Sequence, residues 1–270
     1  MISESASYQS TLEEGQLKIN RLADIAIQRL KDHEPEEGYY LAFSGGKDSI
    51  VIYDLAIRAG VKYDAHYSQT TVDPPEIQKF IKNYPHPVIW EKPKESMFRL
   101  IVRKKMLPTR MIRFCCSALK EIGGKGRIVI TGIRWAESVK RSKRNVFEQS
   151  QSVKSKWFLH PVIDWTDGDI WEYIRYHSLD YCSLYDEGYT RIGCIMCPMQ
   201  TEKGRVMHME RYPKYYQAYL RAIGHMLDAC RESGVPFLKG NTPEEVMHWW
   251  IHESDFDTVT KQTELRSDVK

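Results

Sequence analysis

With 270 residues and a formal charge of only +3 on 39 basic and 36 acidic side chains, the chain can bury one sizeable core and a small second subdomain, and its net charge argues for neither a nucleic-acid nor an anionic-membrane partner. No run approaches the roughly 18 to 20 continuous apolar residues of a membrane span, and the polar start MISESASYQS has no basic stretch leading into an apolar one. The expectation is a soluble, cytoplasmic protein with no membrane partner, in which clustered cysteines suggest metal or redox chemistry more than disulfides.

After the polar leader, QLKINRLADIAIQRLKDH places Leu17, Leu22, Ile25, Ala26 and Leu30 close to helical spacing, so residues 1–36 read as a leader and an amphipathic helix. Strands and helices then alternate: a strand at 39–43, a helix at about 48–59, the strand KYDAHYSQ, a helix after Pro74-Pro75, the strand PVIW, a helix at about 95–106 and the strand RIVITGI. Such alternation implies an α/β fold with a parallel sheet and right-handed crossovers. RWAESVKRSKRNVFEQSQSVKSK is polar, basic and without apolar periodicity, and reads as a long loop. Residues 37–200 are expected to form a nucleotide-binding domain and 201–270 a C-terminal helical region, whose last helix has Thr242 as N-cap, Pro243 at the first position and Glu245 completing a capping box.

Ligands of such sheets bind beyond the carboxyl ends of the strands, which singles out Ser44–Ser49, Thr70–Asp73 and Gly132–Ser138. Ser44-Gly45-Gly46-Lys47-Asp48-Ser49 follows a hydrophobic strand and opens a helix, so backbone N–H groups, a helix N-terminus and Lys47 surround a phosphate-sized space. The bland alternative is a tight turn with an exposed lysine. Thr70, Thr71 and Asp73 offer hydroxyls and a carboxylate for a ribose or second substrate, or Asp73 simply caps the proline-led helix. Cys115-Cys116 and Cys194-x-x-Cys197 supply four thiolates, enough for zinc or an iron–sulfur cluster, and adjacent cysteines suit separate irons better than one tetrahedral zinc. Cys182 and Cys230 lack paired spacing and read as packed thiols.

The glycine turn is neither of the common nucleoside-triphosphatase or dinucleotide patterns. It resembles the PP-loop, SGGxDS, of the ATP pyrophosphatases, which cleave ATP between the α and β phosphates. The resemblance implies an adenine nucleotide alpha hydrolase fold, Rossmann-like, in which Ser44, Gly45, Gly46, Asp48 and Ser49 hold pyrophosphate, Lys47 adds a neutralising charge and Asp48 arranges Mg2+. CCSALK, TGIRWAES followed by Arg141, and LYDEGYTRIGC resemble the phosphoadenylylsulfate reductase superfamily over residues 37 to 200. That likeness implies a [4Fe-4S] cluster on Cys115, Cys116, Cys194 and Cys197, an anionic nucleotide group near Gly132, Arg134 and Arg141, and catalytic roles for Lys47, Asp48 and Arg134.

Two departures bear on the subtype. Sulfonucleotide reductases usually carry a degenerate glycine loop and a nucleophilic cysteine near the C-terminus, whereas this chain keeps the full loop and has no cysteine after Cys230. The combination looks most like the ATP-pyrophosphatase components of DNA phosphorothioation systems, and more loosely like cluster-containing tRNA thiolation enzymes. It implies ATP-dependent activation of a substrate, DNA phosphate foremost, for sulfur insertion, with a cysteine desulfurase as donor and other modification-complex subunits as partners. Lys140, Lys143, Arg144, Lys154 and Lys156, with Arg134 and Arg141, outnumber Glu137 and Glu148 and would suit a phosphate backbone, if the segment is more than a solvated loop. Tyr215-Tyr216 and Trp249-Trp250 would stack on bases unless they are core. The rival readings are a sulfonucleotide reductase using Cys182 or Cys230, and a non-catalytic nucleotide or redox sensor.

Overall fold

A computed structural model describes residues 2–252, with side chains from residue 13 onward; residues 253–270 of the expected helical region lie outside the described residues. In chain order the elements are α1 (Ile2–Asp32), β1 (Tyr39–Ala42), α2 (Lys47–Ala59), β2 (Tyr63–Ser68), α3 (Pro75–Lys82), β3 (Ile89–Glu91), α4 (Met97–Lys104), α5 (Phe114–Leu119), β4 (Ile128–Ile130), β5 (Phe147–Gln149), β6 (Trp157–Leu159), α6 (Asp167–Tyr176), α7 (Glu202–Arg211), α8 (Pro213–Glu232) and α9 (Pro243–His252). Helix α1 begins at Ile2, so the polar start is helical. No described helix is long and apolar enough to cross a membrane.

The chain forms two compact units: Met1–Tyr67 with Pro75–Glu91 and Gly123–Ile192, and Ser68–Pro74 with Lys92–Ile122 and Gly193–Lys270. They interleave along the sequence and do not follow the expected boundary at residue 200.

The first unit holds a six-stranded sheet in the order β3-β2-β1-β4-β6-β5. Strand β1 pairs in parallel with β2 and β4, and β4 with β6, while β5 runs antiparallel to β6 at the edge. The sheet is therefore mixed, not wholly parallel; the expected long loop contains β5, and β6 follows directly after it. Register explains the core. Ala65, Leu41, Ile130 and Leu159 face one another across four neighbouring strands, and all four are buried. Each large member of this row contributes about 1.5–3 kcal/mol through burial. Ile19, Ala23, Ala26 and Leu30 of α1 and Ile50 to Tyr53 of α2 belong to the same core.

Strand order reverses at β1: β2 and β3 lie to one side, β4, β6 and β5 to the other. The crevice beyond the carboxyl ends of β1 and β4 is thus the topological switch point at which such sheets take ligands.

The second unit is built on helices. Leu100 and Ile101 of α4, Ile223 and Met226 of α8, and Val246 and Trp250 of α9 share its core. Trp250 is fully buried and donates its indole N–H to the Pro108 carbonyl at 2.7 Å, and Trp249 is buried beside Phe237. Neither indole is available to stack on bases; helical spacing places both in the core. The start of α9 is as expected, with Thr242 Oγ1 accepting from the Glu245 N–H and Glu245 accepting from the Thr242 N–H.

Candidate functional site

In the first unit, Ser44–Ser49 makes its turn through Gly45, whose φ of +70° lies in the left-handed region. A Cβ there would also stand 3.0 Å from Ile81 Cγ1. Gly46 is the N-cap of α2. The Ser49 hydroxyl donates to the Gly46 carbonyl at 2.7 Å and accepts from the Ser44 N–H at 3.2 Å, closing the loop on itself. Lys47 is buried, 5 % exposed, which removes the reading of a turn carrying an exposed lysine.

What holds Lys47 is polar. Its ammonium lies 3.0 Å from Asp167 Oδ1 and 3.6 Å from Asp48 Oδ2. Arg134, after β4, is equally buried; its Nε donates to Asp48 Oδ1 at 2.7 Å, and its terminal nitrogens donate to Asp167 Oδ1 at 2.9 Å and to the Trp165 carbonyl at 3.4 Å. The residues after β1 and after β4 therefore meet at the switch point. Gly132 permits the approach, being packed against the backbone and Cβ of Asp48. The Tyr185 hydroxyl accepts the Lys47 N–H at 2.9 Å; burial pushes its pKa up, so it stays protonated.

Arg141 pairs with Glu137, which also accepts the Arg134 N–H at 2.8 Å. Burial lowers the Arg141 pKa, and Arg191, Arg134 and Arg144 lower it further, against the favourable pull of Asp48. Like cations gathered this closely are relieved by an anion. The remaining basic residues of the segment divide: Arg144 pairs with Glu148, and Lys156 is buried and donates to the Gly123 carbonyl at 2.5 Å. Lys140, Lys143 and Lys154 stay exposed.

The second unit holds the paired cysteines and Cys230, while Cys182 lies in the core of the first. Cys115 and Cys194 lie in its core with Cys116 and Cys197 packed against it. The adjacent Cys115 and Cys116 thiols act on each other, raising Cys115 and lowering Cys116, with Lys120 and Arg113 assisting the latter. Cys194, raised by burial, donates to Thr70 Oγ1 at 3.4 Å. Cys194 foremost, then Asp73, Cys197 and Cys116, raise the pKa of the exposed Lys120. Thr70 and Asp73, expected at the nucleotide, thus belong to the unit of the cysteines, where Asp73 Oδ2 accepts the Thr70 N–H at 2.7 Å. All six cysteines are free thiols.

Among the described residues no three His, Cys, Asp or Glu side chains converge on a metal position. Thiolate is the donor type that an iron–sulfur cluster takes, and the four paired cysteines share one core without converging on a common metal position. The Asp48 carboxylate fits Mg2+, which takes one or two protein carboxylates and completes its shell with phosphate and water.

Asp167 and Tyr185 were not singled out from sequence. Asp167 follows the cap Thr166 in a T-D-G-D capping box and looks like an ordinary helix start; its contacts come from residues 33 and 120 positions away. Tyr185 lies in LYDEGYTRIGC, where the motif itself was the available signal.

Residues 38–200 match the phosphoadenosine phosphosulfate reductase domain. An uncharacterised protein of Methanocaldococcus jannaschii is 30% identical over 193 residues, 67% of this chain and 46% of that one, so the chain spans less than half the length of that relative. A probable FAD synthase of Schizosaccharomyces pombe is 29% identical over 225 residues, 78% of this chain and 77% of that one. FMN adenylyltransferase of Candida glabrata, solved in complex with ATP, shares the fold at a TM-score of 0.50 and 15% identity, over 67% of this chain and 62% of that one.

Proposed function

The chain belongs to the phosphoadenosine phosphosulfate reductase domain family, and we propose that it uses ATP to adenylylate a substrate, releasing pyrophosphate, and so prepares that substrate for sulfur insertion. The observation that carries this is the convergence of two buried cations, Lys47 and Arg134, on the Asp48 end of an intact SGGKDS loop. A substrate oxygen attacks the α-phosphorus, the bond to the β-phosphate oxygen breaks, and pyrophosphate leaves. The protein's part is to neutralise that leaving group, with Lys47 and Arg134 as cations and the loop amides as donors. Mg2+ beside Asp48 would supply further charge neutralisation. The similarity to a probable FAD synthase, and to an adenylyltransferase fold that carries ATP, supports adenylyl transfer.

The sulfur half of the proposal rests on the four thiols of the second unit. Cys115, Cys116, Cys194 and Cys197 would hold a [4Fe-4S] cluster, which supplies a sulfur-binding or redox centre when bound. The acceptor is proposed to be DNA phosphate, approached through the exposed Lys140, Lys143 and Lys154, with a cysteine desulfurase and further modification subunits as partners. Cys182 and Cys230, the nucleophiles that the sulfonucleotide reductase reading would draw on, are each only 1 % exposed.

Phosphorus NMR of anaerobically purified protein with Mg2+ and ATP, with and without DNA, tests the proposal. AMP and pyrophosphate are expected, stimulated by DNA and absent from Lys47→Ala. ADP and phosphate, or no turnover with DNA and a desulfurase present, would overturn it.

A further inference from the structure

We infer that the Asp167 carboxylate is a resident stand-in for a phosphate oxygen, marking the subsite where the terminal phosphates of ATP, or free pyrophosphate, must dock by displacing it. The inference rests on the adenylylating reading of the loop. One oxygen, Asp167 Oδ1, receives both the Lys47 ammonium at 3.0 Å and an Arg134 guanidinium nitrogen at 2.9 Å. An ammonium and a guanidinium aimed at one oxygen is the donor arrangement that a phosphate oxygen takes.

The three groups differ in how they are held. The Lys47 and Arg134 side chains are 6 % and 4 % exposed, and Arg134 is further fixed by Asp48 and the Trp165 carbonyl, whereas the Asp167 side chain is 60 % exposed. Nor does the helix require this carboxylate. The N-terminal cap of α6 is closed by Thr166 and Asp169, each accepting the other's N–H. The cations are the fixed frame, and the rim carboxylate is the part that can leave. An exposed carboxylate is held by a modest ion-pair energy, and a polyanion placed between the same two cations brings more charge than it removes. Asp167 therefore sets the affinity of this subsite for polyphosphate. A ligand lacking the terminal phosphates, such as AMP, does not have to displace it.

Calorimetry on the full chain, titrating inorganic pyrophosphate and separately AMP, tests this on wild type, Asp167→Asn and Asp167→Ser, the last keeping a residue suited to a helix start. Both variants are expected to bind pyrophosphate about three- to tenfold more tightly, with AMP unchanged. Glu172→Gln, which removes one charge from the same helix, is expected to change neither. Weaker or unaltered pyrophosphate binding in the variants, or an equal gain for AMP, would overturn the inference while leaving the loop assignment standing. Failure of wild type and variants alike to bind pyrophosphate would take down the loop assignment and the inference with it.

Discussion

A Cβ built on Gly132 would stand 2.8 Å from the Cβ of Asp48 and 3.0 Å from its carbonyl carbon and oxygen. The chain after β4 therefore lies against the first turn of α2 with no space for a side chain, and this contact brings Arg134 to Asp48. Gly132→Ala must push one backbone from the other. Overpacking of this kind costs about 1–3 kcal/mol, and the displaced Asp48 loses its bond to Arg134. A lowered urea midpoint with at least about tenfold slower pyrophosphate release is expected; full stability and full turnover would show that the contact is not needed.

His160 ties stability to pH. It is fully buried at the end of β6, with Nδ1 2.7 Å from Thr131 Oγ1. Glu148 lies 3.8 Å from Nε2, and Arg144 and Arg141 also face the ring. Burial first, then Arg144, lowers its pKa from 6.5 to about 4. The folded state thus binds fewer protons than the unfolded state between those values, and stability falls as pH drops from 6.5 towards 4, by up to ~3 kcal/mol. Urea midpoints at pH 7.5, 6 and 5 should decline in wild type and decline less steeply in His160→Gln. Parallel declines would show that His160 is not the titrating group; Asp64 and Asp169, held low by their partners, lose their contribution only below the unfolded carboxylate value of about 4 and so outside this window.

The contrast between Lys47 and Asp167 shows how far sequence reasoning reaches. The strand, glycine turn and helix around Lys47 are contiguous, so periodicity and turn chemistry reveal them together. Asp167 reaches the same site only through tertiary packing of α6, and no local pattern reports that. Strand β5, inside the basic segment, and β6, just after it, are three residues each, too short for alternation to register; β5 is recognisable only by its pairing with β6, so the segment reads as a loop. Thr70 and Asp73 follow a strand end, the position that usually faces a ligand, yet their segment leaves the sheet and folds with the cysteines. The cysteine motifs were legible as a pair of pairs because their spacing is local; their gathering into one core was not.

The cysteines sort into two kinds, and the sorting is testable by spectroscopy. Anaerobic reconstitution with iron and sulfide should give the visible absorption of a cluster in wild type, Cys182→Ser and Cys230→Ser, since Cys182 lies in the other unit's core and Cys230, though it shares the core of the paired cysteines, bonds to the Lys105 carbonyl. Cys197→Ser and Cys116→Ser should lose it. An unchanged spectrum in either would exclude that residue as a ligand.

The Cys194–Cys197 turn depends on a residue outside it. Met196 has a φ of +58°, a left-handed conformation uncommon outside glycine, and its N–H donates to Nδ1 of the buried His208 on α7 at 3.1 Å. That bond sets the tautomer, with Nδ1 the acceptor. The neighbouring Ile195 is held from both ends, its N–H donating to the Val72 carbonyl at 2.7 Å and its carbonyl accepting the Tyr219 hydroxyl at 3.2 Å. His208→Ala would leave the Met196 N–H unpaired in the core, a loss of about 1–3 kcal/mol, and the turn carrying two thiols would lose its strain-holding contact. His208→Gln offers a carbonyl acceptor in its place. The expected order of iron release to a chelator from the reconstituted protein is therefore Ala fastest, Gln intermediate and wild type slowest, in parallel with the urea midpoints. Equal release rates beside a lowered midpoint would mean that His208 stabilises the helices without positioning the cysteines.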